Sequence, residues 1–226
     1  MFPADRLPLV ERYVELLATE GVTRGLVGPR EVPRLWERHL LNCVAVAEVM
    51  PESASVCDVG SGAGLPGLVL ALARPDLAVT LLEPLLRRTT FLEEVVAELG
   101  LSTVEVVRGR AEALHGERSF DVVVSRAVAP LPRLLEWCLP LVGPGGAVVA
   151  LKGESAVAEI EEARSLLQRW GGVEPELVAV GAGLGDAASR VVRVARPAGA
   201  GVGWRLAPTA ASQSRRSSVR RRKKSR

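Results

Sequence analysis

The chain has 226 residues, 48% of them hydrophobic, so it can bury a full core and its length suits one large domain with appendages. Its three cysteines, Cys43, Cys57 and Cys138, form no CxxC pair and signal neither a disulfide framework nor a zinc site. The first residues lack a basic segment followed by an apolar core, and no apolar run is long enough to span a membrane. We therefore expect a cytoplasmic protein without a metal and without a membrane anchor.

The net charge of +3 is unevenly distributed along the chain. Residues 197–226 contain nine Arg or Lys and no acid, which leaves 20 basic against 26 acidic side chains in residues 1–196. The tail is also rich in Gly, Pro, Ala and Ser and poor in large apolar residues, a composition that predicts disorder. Two interpretations stay open for it, a solubilising tail and an arm that contacts phosphates.

Helical spacing of apolar residues predicts helices over residues 8–21 and 31–50, which we assign to an N-terminal helical extension, residues 1–50. From residue 55 onward, short β-branched runs alternate with longer amphipathic ones. That alternation predicts a mostly parallel sheet with helices on both faces, within an α/β domain of residues 51–196. The last two strands are separated only by GAGLGDAA, too short for a parallel crossover, so they should form an antiparallel hairpin.

The stretch CDVGSGAGLPG, residues 57–67, reads as a glycine turn between a strand and a helix. A triphosphate-binding loop would end in Gly-Lys-Ser/Thr, and no Lys precedes Lys152. A dinucleotide would place its pyrophosphate at the helix N-terminus, where the carboxylate of Asp58 would oppose it. Asp58 suits S-adenosylmethionine better, because the amino-acid end of that ligand carries a cation that the carboxylate could meet directly or through water. Gly60 and Gly62 would let the backbone approach it closely.

Four further side chains follow predicted strands and are candidates for the site. Glu83 ends the second strand and could bind ribose hydroxyls, which both a dinucleotide and S-adenosylmethionine possess. Glu112 follows the third strand and either lies near the adenine or starts a surface helix. Arg126 ends the fourth strand, where an Arg faces the crevice and could position the substrate. Lys152, at the end of the fifth strand, is expected to share that crevice.

Several sequence features bear on the type of reaction. No Asn/Asp-Pro-Pro-Tyr/Phe segment, typical of exocyclic-amine methylation, follows the fourth strand, where SRAVAP stands instead. Cys138 lacks the Pro-Cys context of enzymes that attack carbon 5 of a pyrimidine, so a covalent route has no support. His39 and His115 have no metal-ligand partner nearby in sequence and are interpreted as ordinary helix or loop residues.

Six segments together carry a family resemblance. They are ERHLLN (37–42), DVGSGAGLPGLVLA (58–71), TLLEPLLRRTTFL (80–92), GRAEAL (109–114), FDVVVSRA (120–127) and ALKG (150–153). Over about residues 10–196 the chain resembles the small-subunit ribosomal RNA guanine-N7 methyltransferase G family, also called glucose-inhibited division protein B. The glycine turn is generic to methyltransferases, whereas the ordered set with Leu-Pro-Gly, SRA and LKG is specific.

The resemblance implies a Rossmann-like, seven-stranded methyltransferase fold with an N-terminal helical extension. It also implies S-adenosylmethionine bound through Gly60, Leu65, the Ala111-Glu112 pair and Arg126, and it matches Glu83 to the family's acidic residue after the second strand. The implied target is one guanine of 16S rRNA in the small ribosomal subunit or its precursor, modified by a monomer. A small-molecule or protein methyltransferase, tethered to nucleic acid by its basic tail, remains the alternative.

Overall fold

A seven-stranded sheet lies at the centre of the computed structural model, which describes residues 1–199. The strands are Ser55–Val59 (β1), Ala78–Glu83 (β2), Val104–Arg108 (β3), Phe120–Arg126 (β4), Val142–Lys152 (β5), Glu176–Val180 (β6) and Ser189–Ala195 (β7). Their order is β3-β2-β1-β4-β5-β7-β6. Strands β1 to β5 are parallel, whereas β7 is antiparallel to both of its neighbours, β5 and β6. The predicted parallel sheet and terminal hairpin are confirmed.

Helices cover both faces of this sheet. The N-terminal helices, Gly67–Ala73 (α3) and Leu86–Glu98 (α4) lie on one face, and Leu131–Cys138 (α5) and Ala156–Arg169 (α6) lie on the other. Strand β4 shows how one sequence serves both layers: Val122 and Val124 join the first buried cluster and Val123 joins the second. Successive side chains alternate between the faces, so a strand covered on both sides is apolar throughout.

The N-terminal extension differs in detail from its prediction. Helix α1, Leu7–Leu16, continues in a π-helical turn to Gly21. The predicted helix over 31–50 is instead four short helical segments, namely Pro29–Arg34 (3₁₀), Leu35–Leu40 (π), Leu41–Val44 (α2) and Ala45–Val49 (3₁₀). The prediction of one continuous helix was wrong at its start: Pro33 has no N–H to donate to the helical hydrogen-bond ladder, and the helix is interrupted at Arg34, whose φ of −109° and ψ of 3° are not helical.

The extension packs directly against the glycine turn. Tyr13 and Leu17 are fully buried in the same cluster as Leu68 of α3, and the Tyr13 hydroxyl donates a 2.8 Å hydrogen bond to the carbonyl of Ala63. The N-terminal helices therefore brace the turn as part of one core, although residues 1–50 and 51–196 remain our proposed division of the sequence. Within the described residues, no helix combines the length and apolarity needed to cross a membrane. Most of the predicted basic tail, residues 200–226, lies outside the described part of the chain.

Candidate functional site

Two adjoining cavities open at the carboxyl edge of the sheet, beside β1. The strand order reverses at β1, with β2 on one side of it and β4 on the other. Open α/β sheets bind ligands at such a position. The first cavity, about 470 Å³, is walled by the glycine turn and the ends of β2 and β4. The second, about 220 Å³, lies against the segment that follows β3. Gly60, Pro84 and Val128 line both cavities, so one elongated ligand can occupy the pair.

The glycine turn presents bare backbone to the first cavity. Gly60 and Gly62 both have left-handed backbones, with φ of +74° and +60°. A Cβ on Gly60 would lie 2.7 Å from the side chain of Val128, across the boundary between the cavities. A Cβ on Gly62 would meet nothing nearer than a carbonyl oxygen at 3.8 Å, because that side of the residue is open. Glycine is therefore required at Gly60 by conformation and space, and at Gly62 by conformation. Leu65, a predicted contact, also lines this cavity.

Glu83 lines the first cavity and is held by the turn itself. Its carboxylate accepts hydrogen bonds from the N–H groups of Gly62 at 3.0 Å and Leu85 at 3.1 Å, and the guanidinium of Arg88 lies 3.4 Å away. These donors compensate the burial of a side chain that is only 1% exposed. The sequence prediction that Glu83 faces the ligand is consistent with this position, and its contact with ribose stays a prediction.

Asp58 lies behind the turn and lines neither cavity. One carboxylate oxygen accepts a 2.9 Å hydrogen bond from the N–H of Gly67, and the other has no hydrogen-bond partner. Complete burial raises the pKa of Asp58 to about 7, although the Gly67 N–H and the charge of Arg126 act in the opposite direction. The carboxylate fixes the first residue of α3 from beneath the turn. An effect on a ligand cation through water stays a prediction.

Ala111 and Glu112 lie in the wall of the second cavity, and their contact with S-adenosylmethionine stays a prediction. They belong to a short 3₁₀ turn after β3. Opposite them are the apolar side chains of Leu82 and Trp137, an environment that suits a planar base. Sequence reasoning missed Trp137, because its position within the amphipathic pattern of α5 made it indistinguishable from an ordinary core residue.

Arg126 lines the first cavity, as predicted for the end of β4. Its guanidinium lies 3.2 Å from Nδ1 of His39, whose Nε2 lies 2.9 Å from the carboxylate of Glu31. The next residue, Ala127, has a φ of +56°, a left-handed conformation that is costly for a residue with a Cβ. The interpretation of His39 as an ordinary helix residue is incomplete, since the fold brings it against a cavity residue 87 positions away in sequence.

Lys152 does not line either cavity, and its role in positioning the substrate stays a prediction. Its ammonium forms a 2.7 Å ion pair with Glu159 of α6 and donates a 2.8 Å hydrogen bond to the carbonyl of Ala129. The same oxygen of Glu159 accepts a 2.7 Å hydrogen bond from the N–H of Leu131. A buried ammonium is stable only with such partners. Lys152 and Glu159 therefore fasten the loop between β4 and α5, which carries Val128 into both cavities.

The cysteines are poorly placed for chemistry. All three are free and buried, and desolvation raises the pKa of Cys43 to about 12 and raises the pKa of Cys138 well above its ordinary value. Ser125, at the end of β4, is also fully buried and donates its hydroxyl hydrogen to the carbonyl of Val59. Within residues 1–199, no group of three or more His, Cys, Asp or Glu side chains is arranged to hold a metal ion.

Comparison with known proteins places this chain in a family. A family model described as GidB, rRNA small subunit methyltransferase G, matches residues 6–185. The chain belongs to this family. A relative from a Nocardioides species, named ribosomal RNA small subunit methyltransferase G, is 62% identical over 207 residues, which cover 92% of this chain and 83% of that protein. A relative of the same name from Streptomyces coelicolor is 54% identical over 220 residues, covering 97% and 92%.

Solved structures share the fold at low sequence identity. A precorrin-6y C5,15-methyltransferase from Geobacter metallireducens is 12% identical with a TM-score of 0.51, covering 76% of this chain and 90% of that one. A ribosomal protein L11 methylase from Lactobacillus delbrueckii is 19% identical with a TM-score of 0.52, covering 70% and 77%. At such identities the likeness establishes the fold alone. The predicted family, the methyltransferase fold, and an enzyme that takes its methyl group from S-adenosylmethionine are confirmed.

Proposed function

We propose that this methyltransferase modifies N7 of one guanine in the decoding-region loop of small-subunit rRNA. Membership of the rRNA small subunit methyltransferase G family supports the class of substrate. The choice of atom rests on the residue set of the two cavities: among the described residues lining them, the carboxylates are Glu83 and Glu112, and Glu83 is already bound to two backbone N–H groups. The cavities thus offer little for abstracting a proton from the base.

We assign the two ends of the donor to the two cavities. The open backbone at Gly62, together with Glu83 and Arg126, would hold the amino-acid and ribose end in the larger cavity. The apolar walls beside Ala111 and Glu112 would hold the adenine in the smaller one. S-adenosylmethionine supplies an electrophilic methyl group on a sulfonium. The protein's part is to present that group at the mouth of the crevice.

Guanine N7 suits such a site because it carries an unprotonated lone pair. An exocyclic amine has to lose a proton, and carbon 5 of a pyrimidine is usually activated by a cysteine thiolate. Here the pKa of Cys138 is raised and Ser125 is buried against a backbone carbonyl, so neither is an available nucleophile. The residues around Arg126 and Val128 can then act by alignment, which lowers the barrier through proximity and orientation.

We also propose that the substrate is the assembled small subunit or its precursor, and that a monomer acts on it in the cytoplasm. Free, buried cysteines are compatible with a reducing compartment. The basic residues of the tail would add sequence-independent contacts to rRNA phosphates. Deletion of residues 199–226 should therefore weaken RNA binding and flatten its salt dependence, with S-adenosylmethionine affinity unchanged. An unchanged slope of log affinity against log salt would leave the tail only a solubilising role.

The modified atom can be read directly from cellular rRNA. Borohydride and aniline cleave RNA at 7-methylguanine, so primer extension on wild-type small-subunit rRNA should stop once in the decoding region. The stop should disappear when the gene is deleted and return when the wild-type gene is restored. A stop that persists in the deletion strain, or mass spectrometry that places the missing methyl on an amine or a ribose, would overturn the proposal.

The alternative of a small-molecule or protein substrate is separated by a second assay. Tritium from labelled S-adenosylmethionine should enter small subunits isolated from the deletion strain and not subunits from the wild type, which already carry the methyl group. Label that enters a protein or metabolite extract instead would favour the alternative.

A further inference from the structure

A chain of three polar side chains joins the N-terminal helices to the methyl-donor site. Glu31 and His39 lie on consecutive short helical segments, and Arg126 lies at the end of β4 with its side chain in the wall of the larger cavity. The contacts are 2.9 Å from Glu31 Oε2 to His39 Nε2 and 3.2 Å from His39 Nδ1 to Arg126 Nη1. His39 is partly buried, with 19% of its side chain exposed.

The contacts determine which nitrogen of His39 carries the proton. A guanidinium can only donate, so Nδ1 of His39 has to accept and must be unprotonated. The single ring proton therefore resides on Nε2, where Glu31 accepts it. The hydrogen bond from His39 lowers the pKa of Glu31, which keeps the carboxylate ionised and able to accept. The contact with Arg126 thus requires the neutral form of the histidine, whereas the contact with Glu31 can form in either protonation state.

We propose that His39 is a positioning residue that holds the Arg126 guanidinium in the methyl-donor cavity, and that protonation of His39 releases it. A protonated ring has N–H groups on both nitrogens, so Nδ1 can no longer accept from Arg126. Its positive charge would also face that of the guanidinium. The inference rests on the proposed donor site and assigns a function to His39 within the ERHLLN segment.

The surroundings of His39 favour the neutral ring at physiological pH. The charged side chains that face it are Glu31, Arg38 and Arg126. Burial lowers the pKa of His39, and the positive charges of Arg126 and Arg38 lower it further. The hydrogen bond to Glu31 raises it, but the net effect is a decrease from 6.5. Donor binding should therefore be intact at neutral pH and weaken as pH falls below 6.5. Asp58, whose pKa is about 7, titrates close by and has to be separated from this effect.

Two substitutions at His39 make that separation. His39→Phe removes the acceptor and should weaken the binding of S-adenosylhomocysteine, the probe in calorimetry, by roughly tenfold at pH 8. His39→Gln supplies a carbonyl oxygen for Arg126 and an N–H for Glu31 but does not titrate, so it should retain affinity within about threefold. From pH 8 to pH 5, the affinity of the wild type should fall further than that of His39→Gln. The titration of Asp58 is common to both proteins and cancels in the comparison.

A double-mutant cycle tests whether His39 acts through the guanidinium. In an Arg126→Ala background, His39→Phe should change affinity by no more than about twofold, because the group that it positions is gone. His115→Gln, at the chain's other histidine, should leave the acidic fall of the wild type in place. Identical pH profiles for wild type and His39→Gln, or an equal loss from His39→Phe in both backgrounds, would overturn the positioning role alone. A wild-type protein that does not bind the probe would overturn the donor site as well.

Discussion

Replacing Asp58 by Asn should remove a pH dependence of stability that arises at the glycine turn. The carboxyl is fully buried, and its pKa rises from the ordinary 3.8 to about 7. A group whose pKa is higher in the folded state stabilises that state at low pH, and the contribution is lost as pH rises through the folded pKa. Asparagine can still accept the hydrogen bond from the N–H of Gly67 but has no charge to bury.

The size of the effect follows from the two pKa values. At 1.36 kcal/mol for each unit of pKa difference, the ionised carboxylate costs about 4 kcal/mol of unfolding free energy above pH 8. About 2 kcal/mol of that cost is already present at pH 5, where the carboxyl of the unfolded chain is ionised. The stability of the variant relative to the wild type should therefore increase by about 2–3 kcal/mol between pH 5 and pH 8.5. The amide nitrogen of the variant, buried without a partner, subtracts about 1–3 kcal/mol at every pH.

Urea unfolding of the ligand-free protein, followed by the fluorescence of its four tryptophans, measures this difference at each pH. Asp121→Asn is the matched control, because hydrogen bonds from the hydroxyl and N–H of Ser55 lower the pKa of Asp121. The contribution of Asp121 to the unfolding free energy is lost only in more acidic solution. The unfolding free energies of the control and the wild type should therefore differ by a constant amount from pH 5 to 8.5. A constant difference for Asp58→Asn too would refute a strongly raised pKa at that carboxyl.

Three other substitutions test the glycine turn and the residues that support the site. Gly60→Ala should weaken donor binding and stability, as measured by calorimetry and urea unfolding, and adding Val128→Ala should relieve the 2.7 Å clash but not the left-handed strain of about 1–2 kcal/mol. Tyr13→Phe should lower the unfolding free energy by about 1–3 kcal/mol and weaken donor binding, because a buried carbonyl of the turn loses its partner; a variant as stable as wild type would contradict this. Lys152→Met should slow methylation of small subunits while the donor still binds. Adding Glu159→Gln should then reduce the methylation rate by less than the two single changes combined. Fully additive effects would contradict a joint role of the Lys152–Glu159 ion pair.

The local sequence determined the sheet, the glycine turn and the family. Alternation of β-branched and amphipathic runs predicted the parallel strands, because side-chain periodicity reflects secondary structure directly. The short GAGLGDAA connection predicted the antiparallel hairpin, since so few residues cannot return a chain to a parallel start. Gly60, Gly62, Glu83 and Arg126 could be expected in one crevice for a similar reason, because each lies in the turn or at a strand's carboxyl end, and the topology brings those points together; their contacts with a ligand stay predictions.

Tertiary structure decided the contacts between residues that are distant in sequence. Nothing near His39 in sequence indicated Arg126, and nothing near Tyr13 indicated the carbonyl of Ala63. The sequence placed Lys152 at the end of its strand but did not indicate its partner, because a long flexible side chain can turn to a nearby carboxylate, here Glu159 of a neighbouring helix.

Asp58 shows most clearly what the sequence could predict and what required the tertiary structure. The sequence placed a carboxylate at the end of β1 beside a glycine turn, but it did not indicate the direction in which the carboxylate points. In a strand, alternate side chains face alternate sides, and Val56 and Asp58 share the face covered by α3. Gly67 begins that helix, and a Cβ there would lie 2.8 Å from the Asp58 carboxylate. The missing side chain leaves room for the carboxylate to bind the Gly67 N–H beneath the turn, and only the packing of helix against sheet could establish that fit.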